Sequence, residues 1–366
     1  MTVKLPQPIL VADHVHHEVL REVAFSRHLN PVNVAAARQA FIRGAPAPPF
    51  EYAPLLQADA HLARLDAVEP PRDHPAGDLL GRCMDGTRLL LRALRDRTAS
   101  AFHELALVGG WYPTEALLAL RFEDEEEDPE PMDVPASRVI RRLEEALIER
   151  DLNDWAVVED TVMAARVLVD GAKRLVRVNP EARFRPRDQE RLVVHEIDVH
   201  AVRSANGQRQ ILRCFQTGLP GSLATEEGLA MVTEERAGVA APGVLTRQTE
   251  VVWAIDQARS LGFRELYDAL VQRLGSGLAW GICLRIKRGL RQPGQPGVYA
   301  KDSVYLSGRM SVKHWLDEGG DIHHLYAGKV SVDDPVEEWV KQGWVELGSV
   351  APSWIRRAVP LSRRPG

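Results

Sequence analysis

The chain has 366 residues, 45% hydrophobic and 27% charged, with a formal net charge of −5 and a pI of about 6.2. That is the composition of an ordinary globular protein, and it gives no whole-molecule attraction for nucleic acid or an anionic membrane. Three cysteines, Cys83, Cys214 and Cys283, are too few and too scattered for a disulfide framework or a cysteine-based zinc site, which points to a reducing cytoplasm.

The N-terminal MTVKLPQPILVADH carries a proline-broken apolar run too short for a signal segment. No stretch approaches the ~20 apolar residues of a membrane span. From residue 8 to about 121 the pattern is mainly helical. DHVHHEVLREVAFSRHL has helical spacing, Asn30-Pro31 breaks it, and the prolines of APAPPFEYAPL (45–55) exclude regular structure. DLLGRCMDGTRLLLRALRDRT (78–98) repeats leucine every three to four residues and predicts a helix. EDEEEDPEPMDVPA (123–136) combines like charges with prolines. It predicts an exposed loop and supplies the best boundary, between a helical region 1–136 and a second region 137–366.

SRVIRRLEEALIERDL (137–152) resumes as an amphipathic helix. WAVVED (155–160) and ARVLVDGAKRLVRVN (165–179) are rich in Val and Leu, with Asp170-Gly171 as a hairpin turn signal. Pro186 then opens a further helix. A short sheet therefore feeds a helix bearing HEIDVH, and its strand edges offer themselves for pairing with an extended peptide. The C-terminal 140 or so residues alternate helices with Gly/Pro-rich turns such as RQPGQPG (291–297). The expected class is α+β, predominantly helical.

HEIDVH (195–200) poses the functional question. The zinc-peptidase pattern HExxH sets two histidines four apart on one helix face, with the glutamate between them as base. Here the histidines are five apart. On an α-helix a five-residue step turns roughly 500°, so His200 would sit about 140° from His195. A π-type turn, with its i→i+5 hydrogen bond, absorbs the extra residue and brings the two together. The pattern suits a metal; it also suits two histidines and an acid that are neighbours by chance. FHELAL (102–107), HVHHE from His14 and DIHHL (321–325) are read as structural or surface histidines. Downstream, Pro220-Gly221 makes a turn, Thr225 is placed to cap the next helix, and Glu226 and Glu227 lie at its start. Either glutamate suits a third ligand; an acidic helix start in solvent is the plainer alternative. Gly228 leaves room for another backbone to approach.

HEIDVHAVRSANG followed by FQTGLPGSLATEEGLA resembles the QEGLA-motif proteins, a group that includes the vertebrate microtubule-associated tyrosine carboxypeptidases. LNPVNVAAARQAFIRG, PPFEY and GVYAKDSVYLSG (297–308) look like segments of the same family, so the resemblance runs from about residue 20 to 350. It implies a zincin-like metallopeptidase with one Zn²⁺, His195, His200 and Glu227 as ligands and Glu196 as general base. The family usually has Gln where this chain has Glu226, which adds a charge beside the ligand and makes Glu226 either a support for the site or a competitor for the metal.

On that reading Tyr305, or an arginine, supplies a donor for the tetrahedral intermediate. Arg203, Arg288 and Lys301 are candidates for binding the substrate's terminal carboxylate. Asp198 is placed to orient a ligand histidine, or else to face water. The expected function is a zinc carboxypeptidase acting on a peptide or protein C-terminus, with no nucleic-acid or membrane partner. Hydrolysis of a non-protein amide and a non-catalytic binding module are the alternatives; Glu196, needed for chemistry but not for holding metal, speaks against the second.

Overall fold

Apolar periodicity in this chain is resolved mainly into helices. The computed structural model describes residues 4–122, 130–161, 163, 165–348 and 352. Over these the structure is mostly helical with a small sheet, an α+β arrangement. The leucine-rich segment forms the helix Pro75–Asp96, opened by proline and closed by Arg97 in the left-handed region. The proline-rich 45–55 stretch carries no helix or strand, only an isolated bridge between Pro31 and Tyr52. Residues 123–129 of the acidic run lie outside the described residues. Its end, Val134–Pro135 (β1), pairs antiparallel with Arg183–Phe184 (β5), and the helix Ala136–Glu149 follows at once.

Three further strands make the second sheet, in the order β2-β4-β3. These are β2 (Ala156–Glu159), β3 (Val167–Asp170) and β4 (Leu175–Val178). β3 and β4 form the antiparallel hairpin that Asp170-Gly171 predicts, with Val169 opposite Val176, and β2 adds in parallel on the far side of β4. A short helix, Asp188–Leu192, then leads into HEIDVH.

One apolar cluster holds these pieces together. It takes Ile9 and Val19 from the first helix, Leu80 and Met84 from Pro75–Asp96, and Val139 and Leu143 from Ala136–Glu149. Val176 and Val178 of β4, Ile197 and Val199 of HEIDVH, and Leu229 and Val312 complete it. Residues on both sides of 136 thus share one core. A second cluster, built on Phe263, Leu266, Leu270, Trp280 and Ile286, joins the helices Phe263–Leu274 and Ser276–Lys287. Among the described residues no helix is long and apolar enough to cross a membrane.

The helices Ser222–Ala237 and Val304–Asp317 cross in close backbone contact. A Cβ built on Gly228 would overlap the Gly308 carbonyl carbon, and one on Gly308 would overlap the Ala224 carbonyl oxygen. The backbone that approaches Gly228 therefore belongs to the helix carrying Tyr305. Overpacking against backbone cannot relax by rotamer change, so Gly228→Ala should cost about 3 kcal/mol or more. Gly86, inside Pro75–Asp96, has nothing within 4 Å of such a Cβ, so Gly86→Ala should instead stabilise by about 0.5–1 kcal/mol. Urea denaturation of both variants checks the pair; similar shifts of one sign would contradict the close-approach account.

Candidate metal centre

HEIDVH lies within a π-helix, Val193–Ala201, flanked by helical turns on both sides. Its hydrogen bonds run i→i+5, so positions five apart return to one face. The His195 and His200 rings accordingly meet edge to face, with centroids 4.7 Å apart. Glu227, on the helix Ser222–Ala237, completes a cluster in which one ligand atom from each residue lies within 4.8 Å of the others. His195 Nε2 is 3.7 Å and His200 Nε2 3.6 Å from the same oxygen, Glu227 Oε2. These separations are too long for hydrogen bonds. That oxygen is buried and accepts no hydrogen bond among the described residues.

The outer ring nitrogens are both held by carboxylates. His195 Nδ1 is 2.7 Å from Glu234 Oε1, and His200 Nδ1 is 2.8 Å from Glu226 Oε1. A carboxylate on Nδ1 fixes that nitrogen as a proton carrier and turns Nε2 inward, towards Glu227. Burial alone would lower the His195 pKa, but contacts with Glu227 and Glu234 override it and raise it to about 10. Glu227 is pulled the other way: burial would raise its pKa, and the His195 contact and Lys301 charge bring it well below the usual carboxylate range. Lys301 Nζ stands 3.6 Å from Glu227 Oε1.

The two adjacent glutamates face different partners. Glu226 Oε1 takes His200 and, at 3.0 Å, Lys329 Nζ, while Oε2 takes Arg203 Nη1. Burial opposes ionisation of Glu226, and the Lys329 and Arg203 charges more than offset it. In this geometry Glu226 meets His200 at Nδ1, the ring nitrogen that does not face Glu227.

Several residues stand elsewhere than their sequence positions suggested. Arg203 is fully buried and cannot reach a substrate. Its Nε donates to the carbonyls of Leu325 and Gly328, its Nη2 to that of Val330, and its Nη1 to Glu226. Asp198 neither orients a histidine nor faces water; it is buried in a two-bonded pair with Arg150, at 2.7 and 3.2 Å. Thr225 does not cap its helix, which begins at Ser222; its hydroxyl accepts from Val332 N at 2.9 Å. Arg288 stacks over Tyr299 and stands 3.5 Å from Asp302.

Glu196 is buried and makes no hydrogen bond among the described residues. Tyr305, half-buried, feels the charges of Glu227 and Glu196 after burial itself, and its hydroxyl is held well above the usual phenol range. The histidines read as structural stay apart from this site: His16 Nε2 meets Thr87 at 2.9 Å and His103 Nδ1 meets Tyr112 at 2.8 Å.

A sequence model of the family described as "Microtubule-associated tyrosine carboxypeptidase" matches residues 44–364. The chain belongs to that family. Among curated members, "Microtubule-associated tyrosine carboxypeptidase 1" of Mus musculus is 31% identical over 174 residues, 43% of this chain and 35% of that protein. "Putative tyrosine carboxypeptidase MATCAP2" of Homo sapiens is 32% identical over 159 residues, 40% of this chain and 28% of that protein. The aligned part therefore spans only about a third of these relatives' length. The family match takes in the π-helix, both glutamates and Tyr305.

Glu234 and Arg150 escaped the sequence reading. Glu234 lies seven residues after Glu227, two helical turns along the same face, which is the signal that could have found it. Arg150 has no such signal, because its partner Asp198 is 48 residues away. Removing one member of a buried pair strands the other. Arg150→Met should therefore cost about 3–5 kcal/mol, most of it recovered in Arg150→Met with Asp198→Leu. Urea denaturation of the single and double variants measures this; a double variant no better than the single would show that the pair is not what holds this face.

Proposed function

We propose that the protein is a zinc-dependent carboxypeptidase of zincin-like design that cleaves at a peptide or protein C-terminus. The observation that carries this is the Glu227 carboxylate oxygen, buried, without a hydrogen bond among the described residues, and faced by two imidazole nitrogens at 3.6 and 3.7 Å. Two ligand atoms bound to one tetrahedral zinc stand about 3.3–3.4 Å apart, given metal–ligand distances of about 2.0–2.1 Å. The donor set, two histidines and one carboxylate, is that of hydrolytic zinc sites. The relatives' names supply the carboxypeptidase direction.

His195, His200 and Glu227 would hold the metal, with Glu234 and Glu226 fixing the two rings. When bound, zinc would lower the pKa of a water and polarise the scissile carbonyl. Glu196, buried beside the cluster with no hydrogen bond among the described residues, would take a proton from the attacking water and return it to the leaving amine. Tyr305 stays protonated because burial and the neighbouring carboxylates oppose its ionisation, so it can donate to the developing oxyanion. Lys301 adds positive charge on the same side.

Elemental analysis of the purified protein tests the ligand set. About one zinc per chain is expected in wild type and in Glu196→Gln, with clear loss in Glu227→Ala. Glu234→Gln should weaken zinc binding by about 10–100-fold. Peptides with free C-termini should be shortened by wild type and not by Glu196→Gln. Wild type that holds no zinc after exposure to it would end the proposal.

Zinc loading should also release protons. The carboxylates around His195 raise its pKa to about 10, so without metal it is protonated at pH 7 and must lose that proton to bind. Affinity should rise as pH rises towards 10. Calorimetric titration of zinc in buffers of different ionisation enthalpy measures the release; a buffer-independent heat would contradict it.

A further inference from the structure

A carboxypeptidase must recognise the free end of its substrate, and the inference here rests on that reading. The group required is a cation beside the metal cluster that the fold has not consumed. Arg203 is sealed among backbone carbonyls and Glu226. Lys329 is taken by Glu226 at 3.0 Å, and Arg191 by Asp188 and Glu234. Arg288 is half-buried, stacked on Tyr299 and facing Asp302. Lys301 is directed at Glu227.

Arg285 differs from all of these. It lies near the end of the helix Ser276–Lys287, and its side chain is 46% exposed. Its Nε meets Asp302 Oδ2 at 2.5 Å, and its guanidinium also interacts with the Tyr305 hydroxyl. Neither Nη hydrogen-bonds to a carboxylate among the described residues. Asp302 therefore fixes one edge of a planar group that still has donors to offer, the geometry that binds a carboxylate with two parallel bonds.

Charge favours the same corner. Arg285, Arg288 and Lys301 face two carboxylates, Asp302 and Glu227, and the second is committed to the metal in the proposed site. The excess positive charge calls for an anion from outside. Tyr305 links the two places, being coupled to Arg285 on one side and to Glu227 and Glu196 on the other.

We propose that Arg285, held by Asp302, anchors the substrate's C-terminal carboxylate and so sets which peptide bond lies at the metal cluster. The test uses the full chain carrying Glu196→Gln, with zinc supplied, so that binding is read without turnover. The probes are a fluorescein-labelled octapeptide ending in tyrosine with a free carboxylate and the same peptide as its C-terminal amide, titrated by fluorescence anisotropy. The acid form should bind about tenfold or more tighter than the amide, as loss of a charge-assisted bidentate contact implies. Adding Arg285→Gln should bring the two affinities to within about twofold, mainly by weakening the acid form.

If the preference survives Arg285→Gln, the carboxylate is held elsewhere; this proposal then falls and the carboxypeptidase reading stands. If the Glu196→Gln parent itself shows no preference for the acid, both fall. Should Arg285→Gln lower the melting temperature, Arg285→Lys decides. It keeps the charge but not the fork, so the preference should shrink, and an unchanged preference would overturn the proposal.

Discussion

Two histidines five residues apart can serve one point in space only if the backbone between them is not an α-helix. The site depends on that constraint. A π-helix meets it, but such segments are rare and usually a single turn, so neighbours have to hold this one in place. Val193, Ile197, Val199 and Ala201 bury its apolar side in the main core. Asp198 is clamped from behind by Arg150. The rings are then tied on their outer edges by Glu234 and Glu226. Relaxation to an α-helix would swing one histidine roughly 140° away and break several of these contacts together.

The same geometry explains how the chain accommodates Glu226, where the family motif it resembles has glutamine. Consecutive residues on a helix point roughly 100° apart, so Glu226 and Glu227 cannot both face the histidine pair from the same side. Glu227 faces the inner nitrogens. Glu226 points to His200 Nδ1, Lys329 and Arg203, a set with enough positive charge for a buried carboxylate. Arg203 is itself fixed by carbonyls of the 325–330 segment, so the extra charge is absorbed by a network that also ties that segment to the site. The cost of burying the ions is set against hydrogen bonds on nearly every available atom, the condition under which such a network is tolerated.

Much of the local structure was legible. The leucine repeat, the Asp170-Gly171 hairpin and the short sheet ahead of HEIDVH follow from periodicity and turn chemistry, and they are present. Periodicity says which residues share a face but not what packs against that face. Arg203, a sequence candidate for the substrate's carboxylate, lies about one turn beyond His200. It is buried because residues 325–330, over 120 positions away, close on it. Asp198 and Arg150 meet across 48 residues, and Arg285 reaches Asp302 across 17. Thr225 resembles a cap because Pro220-Gly221 marks a turn, but Gly221, with φ of 79°, starts the helix four residues earlier than a threonine cap requires.

Direction within the cluster comes from the π-helix; distance comes from a pair of glycines. Gly228 and Gly308 let the helices carrying Glu227 and Tyr305 touch backbone to backbone. Side chains near such a contact are brought together with little freedom to adjust, because the backbones fix their spacing. Tyr305 lies three residues, about one helical turn, before Gly308, and Glu227 directly precedes Gly228. Lys301 reaches Glu227 from the short turn Ala300–Ser303 that immediately precedes the Tyr305 helix. One backbone contact thus sets both the hydroxyl and the ammonium against the carboxylate, and Asp302 in the same turn carries the positioning on to Arg285. The groups with proposed roles therefore sit on only four backbone segments, the π-helix, the glutamate helix, the Tyr305 helix with its leading turn, and the end of Ser276–Lys287. Each is fixed to the next by a contact that leaves little room to move.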